Sequence, residues 1–222
     1  LHTGLHLHAT FLPAEENMGI RICRTDLEGR PTYEAIADYV TATERGTVLE
    51  RGAWKVSTVE HALSALYAMG VDNCLIEVDG PEMPILDGSA KYYVKAIQEV
   101  GLQEQDAEQK IFVVTEPIEY LSEHGNKMMI LPCNHYEAEV TITYPTGLLR
   151  EQKAELHDLC DYKRELSLAR TFCFVREIEL SAFVYKTSVA FFAVRSYNIY
   201  SISCDKTEKL IKSFESAENI VI

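Results

Sequence analysis

Glu60 and His61 are the residues whose types and spacing first suggest chemistry. A carboxylate and an imidazole stand side by side where a stretch of helical periodicity begins. Imidazole is a frequent zinc ligand, and a neighbouring carboxylate can take a proton from a metal-activated water. The same pair has a structural reading. Ser57 and Glu60 stand at capping-box spacing, which would commit the carboxylate to a helix N-terminus. One histidine does not make a zinc site either, because a catalytic zinc takes three protein ligands. Asp87-Gly88-Ser89 reads as a helix cap, since both side chains accept from orphan N–H groups. Thr171 and Phe172 lie in Ala169-Arg-Thr-Phe172, where alternation predicts a strand and a lone threonine hydroxyl is satisfied locally. His2, His6 and His8 share one face if the segment is extended, and a solvated polar face accounts for the same pattern. His157 and Asp161 stand four apart on a predicted helix, a spacing that can chelate zinc and is equally common on exposed helices.

These residues need elements to hold them. Leu63, Leu66 and Tyr67 repeat at helical spacing, and Gly70 suits the stop, so a helix is expected from 57 to 70. Residues 5–24 alternate as a strand pair around 13–19, and residues 32–50 as two strands with Arg45-Gly46 between them. A strand is expected over 72–79, then a rigid loop over 80–84. A second helix should run from Asp87 to Val100 and stop at Gly101. Residues 103–109 are polar without apolar period and read as a linker. Strand signals then return at 110–115, 117–121, 127–132 and 137–144, followed by a helix over 153–166. Strands followed by helix in each half make an α+β class, with domains over 1–102 and 110–222.

Composition narrows the function. Lys plus Arg number 21 against 34 Asp plus Glu, a net charge of −13, and 47% of residues are hydrophobic. Such acidity argues against sequence-neutral nucleic-acid binding and against docking on an anionic membrane face. Residues 181–202 are apolar, but Lys186, Arg195 and Asn198 interrupt them, so no stable membrane insertion is expected. The six cysteines show no C-x-x-C spacing and several sit in strand-like runs, as buried free thiols of a reducing cytoplasm do. P-loop, dinucleotide-binding and nucleophile-elbow motifs are absent. The chain starts at Leu1 rather than Met, and both ends are expected to be cut.

Several segments occur together in one order: Leu1-His-Thr-Gly4, Arg24-Thr-Asp-Leu27, Ser57-Thr-Val-Glu-His61, Gly70-Val-Asp-Asn73, Pro84-Ile-Leu-Asp-Gly-Ser-Ala90, and Ala169-Arg-Thr-Phe172 with Arg176-Glu-Ile-Glu179. This series resembles the zinc-dependent UDP-3-O-acyl-N-acetylglucosamine deacetylases of lipid A biosynthesis. Arg45-Gly-Thr-Val-Leu49 is similar to the branch fused to a 3-hydroxyacyl-acyl-carrier-protein dehydratase. The resemblance implies two α+β domains, each a two-layer sandwich of sheet backed by helices, with the active site between them. It implies that His61 is a zinc ligand and Glu60 the general base and acid. It implies further that Thr171 stabilises an oxyanion, Phe172 contacts substrate, and His2 lies near the active site. The partner implied is a small molecule, a UDP-sugar bearing an acyl chain. The family's two other zinc ligands belong to a His-Lys-x-x-Asp motif downstream of Arg-Thr-Phe, which these 222 residues do not contain. His157 and Asp161 lie upstream and do not replace them. The second domain is therefore expected to be incomplete, with 180–209 atypical, and this chain alone to turn over little substrate. The rival expectation is a non-catalytic binding protein on the same scaffold.

Overall fold

A computed structural model describes residues 3–44, 46–123, 125–143 and 151–171. One sheet takes the order β1 (Ala9–Pro13), β7 (Cys74–Val78), β2 (Ile20–Arg24) and β3 (Thr32–Glu34). A second is an antiparallel meander of β4 (Val40–Ala42), β5 (Val48–Arg51) and β6 (Trp54–Ser57). Helices α1 (Glu60–Ala68) and α2 (Lys91–Val100) pack on each other. The mixed α+β class expected from the pattern is what forms.

The strands over 5–24 are a correction. β1 and β2 do not pair with each other; β7 lies between them, antiparallel to β1 and parallel to β2. The reason lies in β7, where Cys74, Ile76 and Val78 are all buried. Burial on that face is greatest at the sheet centre, and a β1–β2 hairpin would have left β7 at an edge. The connecting turn is pinned to β7 instead, Gly19 N donating to Asn73 Oδ1 at 2.8 Å and Cys74 N to Gly19 O at 3.1 Å.

The core draws on both sheets and both helices: Ile22, Leu49, Trp54, Leu66 and Ile76 are each at most 2% exposed. Helix α1 ends as expected. Gly70 takes φ +74°, Val71 N bonds Leu66 O at 2.9 Å, and Gly70 N bonds Tyr67 O at 3.0 Å. This is a Schellman closure, which needs a left-handed residue and so favours glycine.

Arg24 is 6% exposed and emerges beside this core. Its Nε and Nη2 each donate to Asp26 at 2.8 Å, and Nη1 donates to the Lys55 carbonyl. The guanidinium bonding to Asp26 holds that carboxyl below its ordinary range. Asp26→Ala would leave the buried Arg24 cation without its anionic partner, held only by the Lys55 carbonyl among the bonds described. Because Asp26 is itself partly exposed, the expected loss is about 2 kcal/mol in urea unfolding at neutral pH. A lowered folded pKa gives stability that is complete above the unfolded value and is lost as pH falls through the folded one. The gap between wild type and variant should therefore narrow below about pH 4.

The later residues hold two ribbons, β8 (Ile118–Leu121) with β9 (Lys127–Ile130), and β10 (Ala138–Ile142) with β11 (Gln152–Leu156). Residues 110–115 form no strand. The helix expected over 153–166 is also corrected. Its first part is β11, and only α3 (Tyr162–Glu165) is helical after a 3₁₀ turn at Leu159–Asp161. The residues up to 156 alternate with period two, and Lys153 spans the ribbon to Glu139 at 3.1 Å. Asp158 then accepts from Cys160 N at 2.7 Å and closes the turn. Leu156, Tyr162 and Leu166 join the same core as the earlier residues, and Tyr162 Oη lies 2.7 Å from Ser64 Oγ.

The polar stretch 103–109 lies along the first sheet's turns. Gln105 Nε2 donates to Ala14 O at 3.0 Å, and Gln109 Nε2 to Asp72 Oδ1 at 2.7 Å. Cys23 and Cys74 are buried free thiols as expected, whereas Cys133 and Cys160 are free but exposed. Cys173 and Cys204 lie outside the described residues. Among the described residues no helix is long and apolar enough to cross a membrane.

Candidate active site

β6 leaves its sheet at Ser57, where the backbone is tied to the 81–83 loop. Ser57 N donates to Pro81 O and Met83 N to Ser57 O, each at 2.9 Å. The Ser57 hydroxyl also goes to Pro81 O, at 3.1 Å. Thr58 then takes φ +58°, the left-handed region that a β-branched residue seldom occupies. This turn delivers Glu60 and His61 to the start of α1.

The capping box does not form. The N-cap is Val59, with no side-chain cap bond, and Ser57 is already committed to Pro81. The Glu60 carboxylate turns inward, and its Oε2 accepts from Thr47 N at 2.9 Å. A Cβ at Gly46 would lie 3.3 Å from Glu60 Oε1 and 3.4 Å from Thr58 Oγ1, so the β4–β5 turn approaches the carboxylate through a glycine. Glu60 is 9% exposed. Burial raises its pKa above the ordinary range, against the amides of Glu60 and Thr47 that lower it, and the Glu82 carboxylate adds to the rise. Such a group is poised to exchange a proton nearer neutrality than a surface glutamate.

His61 is half-buried. Burial lowers its pKa, opposed by the negative charge of Asp87. The neutral imidazole keeps a lone pair free to ligate a metal. Burial by itself would raise the Asp87 pKa, but the Ser89 bonds and the charges of Arg170 and Lys91 outweigh it and hold it low. Ser89 Oγ donates to Asp87 Oδ1 at 2.6 Å, and Arg170 Nη2 reaches Oδ2 at 3.4 Å. Lys91 N also donates to Ser89 Oγ at 3.2 Å, but α2 begins only at Lys91 with Ala90 as its N-cap and no side-chain cap bond, so the cap and helix start expected at 87–89 are corrected: Asp87 and Ser89 close a turn ahead of the helix, and the Asp87 charge acts on His61.

Thr171 is brought to this same loop. Its N–H donates to Gly88 O at 2.7 Å, and its Cγ2 lies 3.5 Å from where a Gly88 Cβ would stand. Residues 87–89 thus connect the surroundings of His61 to Thr171, which is 110 positions further along the chain. Phe172 and His2 lie outside the described residues.

The other spacings do not converge here. His8 pairs with Asp79 at 2.8 Å and His6 is exposed. His157 pairs with Glu155 at 3.3 Å and Asp161 with Arg164 at 2.9 Å, so the helical chelate is not built. Among the described residues one group of three or more potential ligands could hold a metal ion: Cys133, His135 and Glu137. All three are exposed, and His135 is already bonded to Asn134 and Glu137. That group is separate in sequence from His61 and does not include it. The roles of Thr47, Gly46 and Glu82 were not read from sequence. Backbone amides and close approaches leave no side-chain signature, although Gly46 at a strand turn was a marker.

Comparison with known proteins identifies the family. The family model described as LpxC, UDP-3-O-acyl N-acetylglycosamine deacetylase, matches residues 1–183. A bifunctional enzyme LpxC/FabZ of Bacteroides thetaiotaomicron is 51% identical over 180 residues, covering 81% of this chain and 39% of the relative. A second LpxC/FabZ enzyme, from Porphyromonas gingivalis, is 50% identical over 181 residues, covering 81% of this chain and 39% of that protein. A UDP-3-O-acyl-N-acetylglucosamine deacetylase of Bdellovibrio bacteriovorus is 39% identical over 181 residues, covering 81% of this chain and 59% of that protein. The chain thus spans well under two thirds of the length of each of these relatives. The family model's match over residues 1–183, with these relatives, places the chain in the LpxC family of UDP-3-O-acyl-N-acetylglucosamine deacetylases.

Proposed function

We propose that the protein to which these residues belong hydrolyses the acetamide of UDP-3-O-acyl-N-acetylglucosamine, a step of lipid A biosynthesis, in the cytoplasm. The observation that carries this reading is the Glu60–His61 pair, with an inward carboxylate and a half-buried imidazole at the start of α1. Residues 1–102 and 110–222 are read as its two α+β domains, joined by 103–109.

His61 suits a zinc ligand because burial favours its neutral, lone-pair form. The described residues hold no set of three ligands that includes it, so the remaining ligands must come from elsewhere in the protein. Zinc, when bound, supplies a Lewis acid for the amide carbonyl and a lowered pKa for water. Glu60 takes the proton of the attacking water and returns it to the nitrogen as the C–N bond breaks. Acetate and a free sugar amine result, with one water consumed. Thr171 offers its hydroxyl to the developing oxyanion. His2 and Phe172 contact the acylated UDP-sugar.

The test is acetate release from UDP-3-O-acyl-N-acetylglucosamine by the full-length protein. Activity should vanish on zinc removal by a chelator and return with added zinc. Acetate release by metal-free protein would overturn the zinc reading. A zinc-loaded protein that releases no acetate would overturn the deacetylase reading.

A further inference from the structure

The loop 79–82 grips the segment 3–8 at three successive points. Asp79 Oδ1 accepts from His8 N at 2.7 Å, and Asp79 N donates to His8 O at 3.3 Å. Leu7 crosses over Gly80, where a Cβ would collide with Leu7 Cδ2. Glu82 Oε2 accepts from both Thr3 N, at 3.0 Å, and Thr3 Oγ1, at 2.8 Å. The other oxygen of the same carboxylate accepts from Thr58 Oγ1 at 3.3 Å.

Glu82 is 0% exposed, the least common state for a glutamate. Its backbone cannot drift, because Pro81 and Met83 are bonded to Ser57 on either side. Thr3, in contrast, is exposed and has little packing of its own. Among the described residues, the bonds from Glu82 are what ties residue 3 to distant parts of the protein, across 79 positions of chain. They end on Thr58, two residues before Glu60.

We propose that Glu82 is a positioning residue. Its buried carboxylate bridges Thr3 to Thr58 and so fixes the segment 3–8 against the turn that presents Glu60 and His61. His2 is covalently next to Thr3 and is one of the residues given a substrate contact above. The importance assigned to that position rests on the deacetylase reading. The tether itself does not.

Hydrogen exchange and steady-state kinetics on the full-length protein test it, using Glu82→Ala, Glu82→Gln and Thr3→Val. In Glu82→Ala, amide exchange in the peptide covering 3–8 should rise about tenfold or more, because bonds to a buried carboxylate are lost. KM for the acylated UDP-sugar should rise about tenfold with a smaller change in kcat. Glu82→Gln should restore most of both, since its amide oxygen can accept from Thr3 and its NH2 can donate to Thr58 Oγ1. Thr3→Val removes the hydroxyl's bond to Glu82, and with it the acceptor of Leu5 N at 3.4 Å, at an exposed site where the core is untouched. At amides of that peptide other than Leu5, whose acceptor is itself removed, exchange should rise about threefold without Tm moving. That variant keeps the test valid if Glu82→Ala does not fold. Unchanged exchange over 3–8 in Thr3→Val, or a Gln variant as damaged as the Ala variant, overturns the tether. Raised exchange with unaltered KM overturns the positioning role. A wild-type protein that releases no acetate defeats the functional reading alone, and exchange still decides the tether.

Discussion

Glu60→Gln is expected to lower kcat of the full-length protein by about 10²–10⁴-fold, the span covered by a lost general acid–base. The substitution suits the site. The amide oxygen of glutamine can still accept from Thr47 N, now 2.9 Å from Glu60 Oε2, so the inward rotamer is retained. What disappears is the ability to carry a proton between water and the departing nitrogen. KM should change little, because the group handles a proton in the transition state rather than holding the ground-state substrate. Zinc content should equally be retained, since His61 is untouched. Steady-state acetate release with parallel metal analysis checks this. A kcat within threefold of wild type, with zinc bound, would sink the role given to Glu60.

Trp54→Ala carries the largest expected stability effect, a loss of about 3–5 kcal/mol. Trp54 is 1% exposed and stands first among the fully buried side chains by volume. It joins the two sheets of the first half: the side chain leaves β6, and its Nε1 donates to Ile22 O of β2 at 3.1 Å. Tyr33 meets it edge-on with centroids 5.4 Å apart and Tyr39 at 6.4 Å, and the Arg51 guanidinium lies 4.8 Å from the Tyr33 centroid. Truncation removes the aromatic area, opens a cavity between sheets that are each pinned elsewhere, and leaves the Ile22 carbonyl without that donor. The thermal midpoint should fall by roughly 10 °C. Because β6 leads directly into Ser57 and the turn to Glu60, activity should be lost at a lower temperature as well. Urea unfolding measures the first effect, and a loss below about 1 kcal/mol would mean that the tyrosines refill the space.

Much of the site was legible because its signals are local. Glu60 and His61 are adjacent in sequence, the period of α1 is carried by Leu63, Leu66 and Tyr67, and its stop is a single glycine. The failures concern partners distant in sequence. Residues 5–24 alternate as two strands must, but alternation does not name the neighbour, and β7 entered between them because its buried face is the most apolar. Residues 153–156 were assigned to a helix because their charged and apolar residues fit either period over so short a run, and pairing with β10 decided for the strand. Ser57 and Glu60 had capping-box spacing, yet Pro81 captured the serine and Thr47 the glutamate.

By itself, then, the sequence determined the family, the α+β class and the identity of the Glu60–His61 pair, since each depends on residue type and short-range order. The tertiary structure decided what those residues face. It turned Glu60 inward to Thr47, carried Thr171 back to Gly88 and hung Thr3 on Glu82. Each of these contacts except the neighbouring turn at Thr47 spans more than twenty residues of chain. Such contacts depend on which buried surfaces pack together, and a one-dimensional pattern holds no record of that.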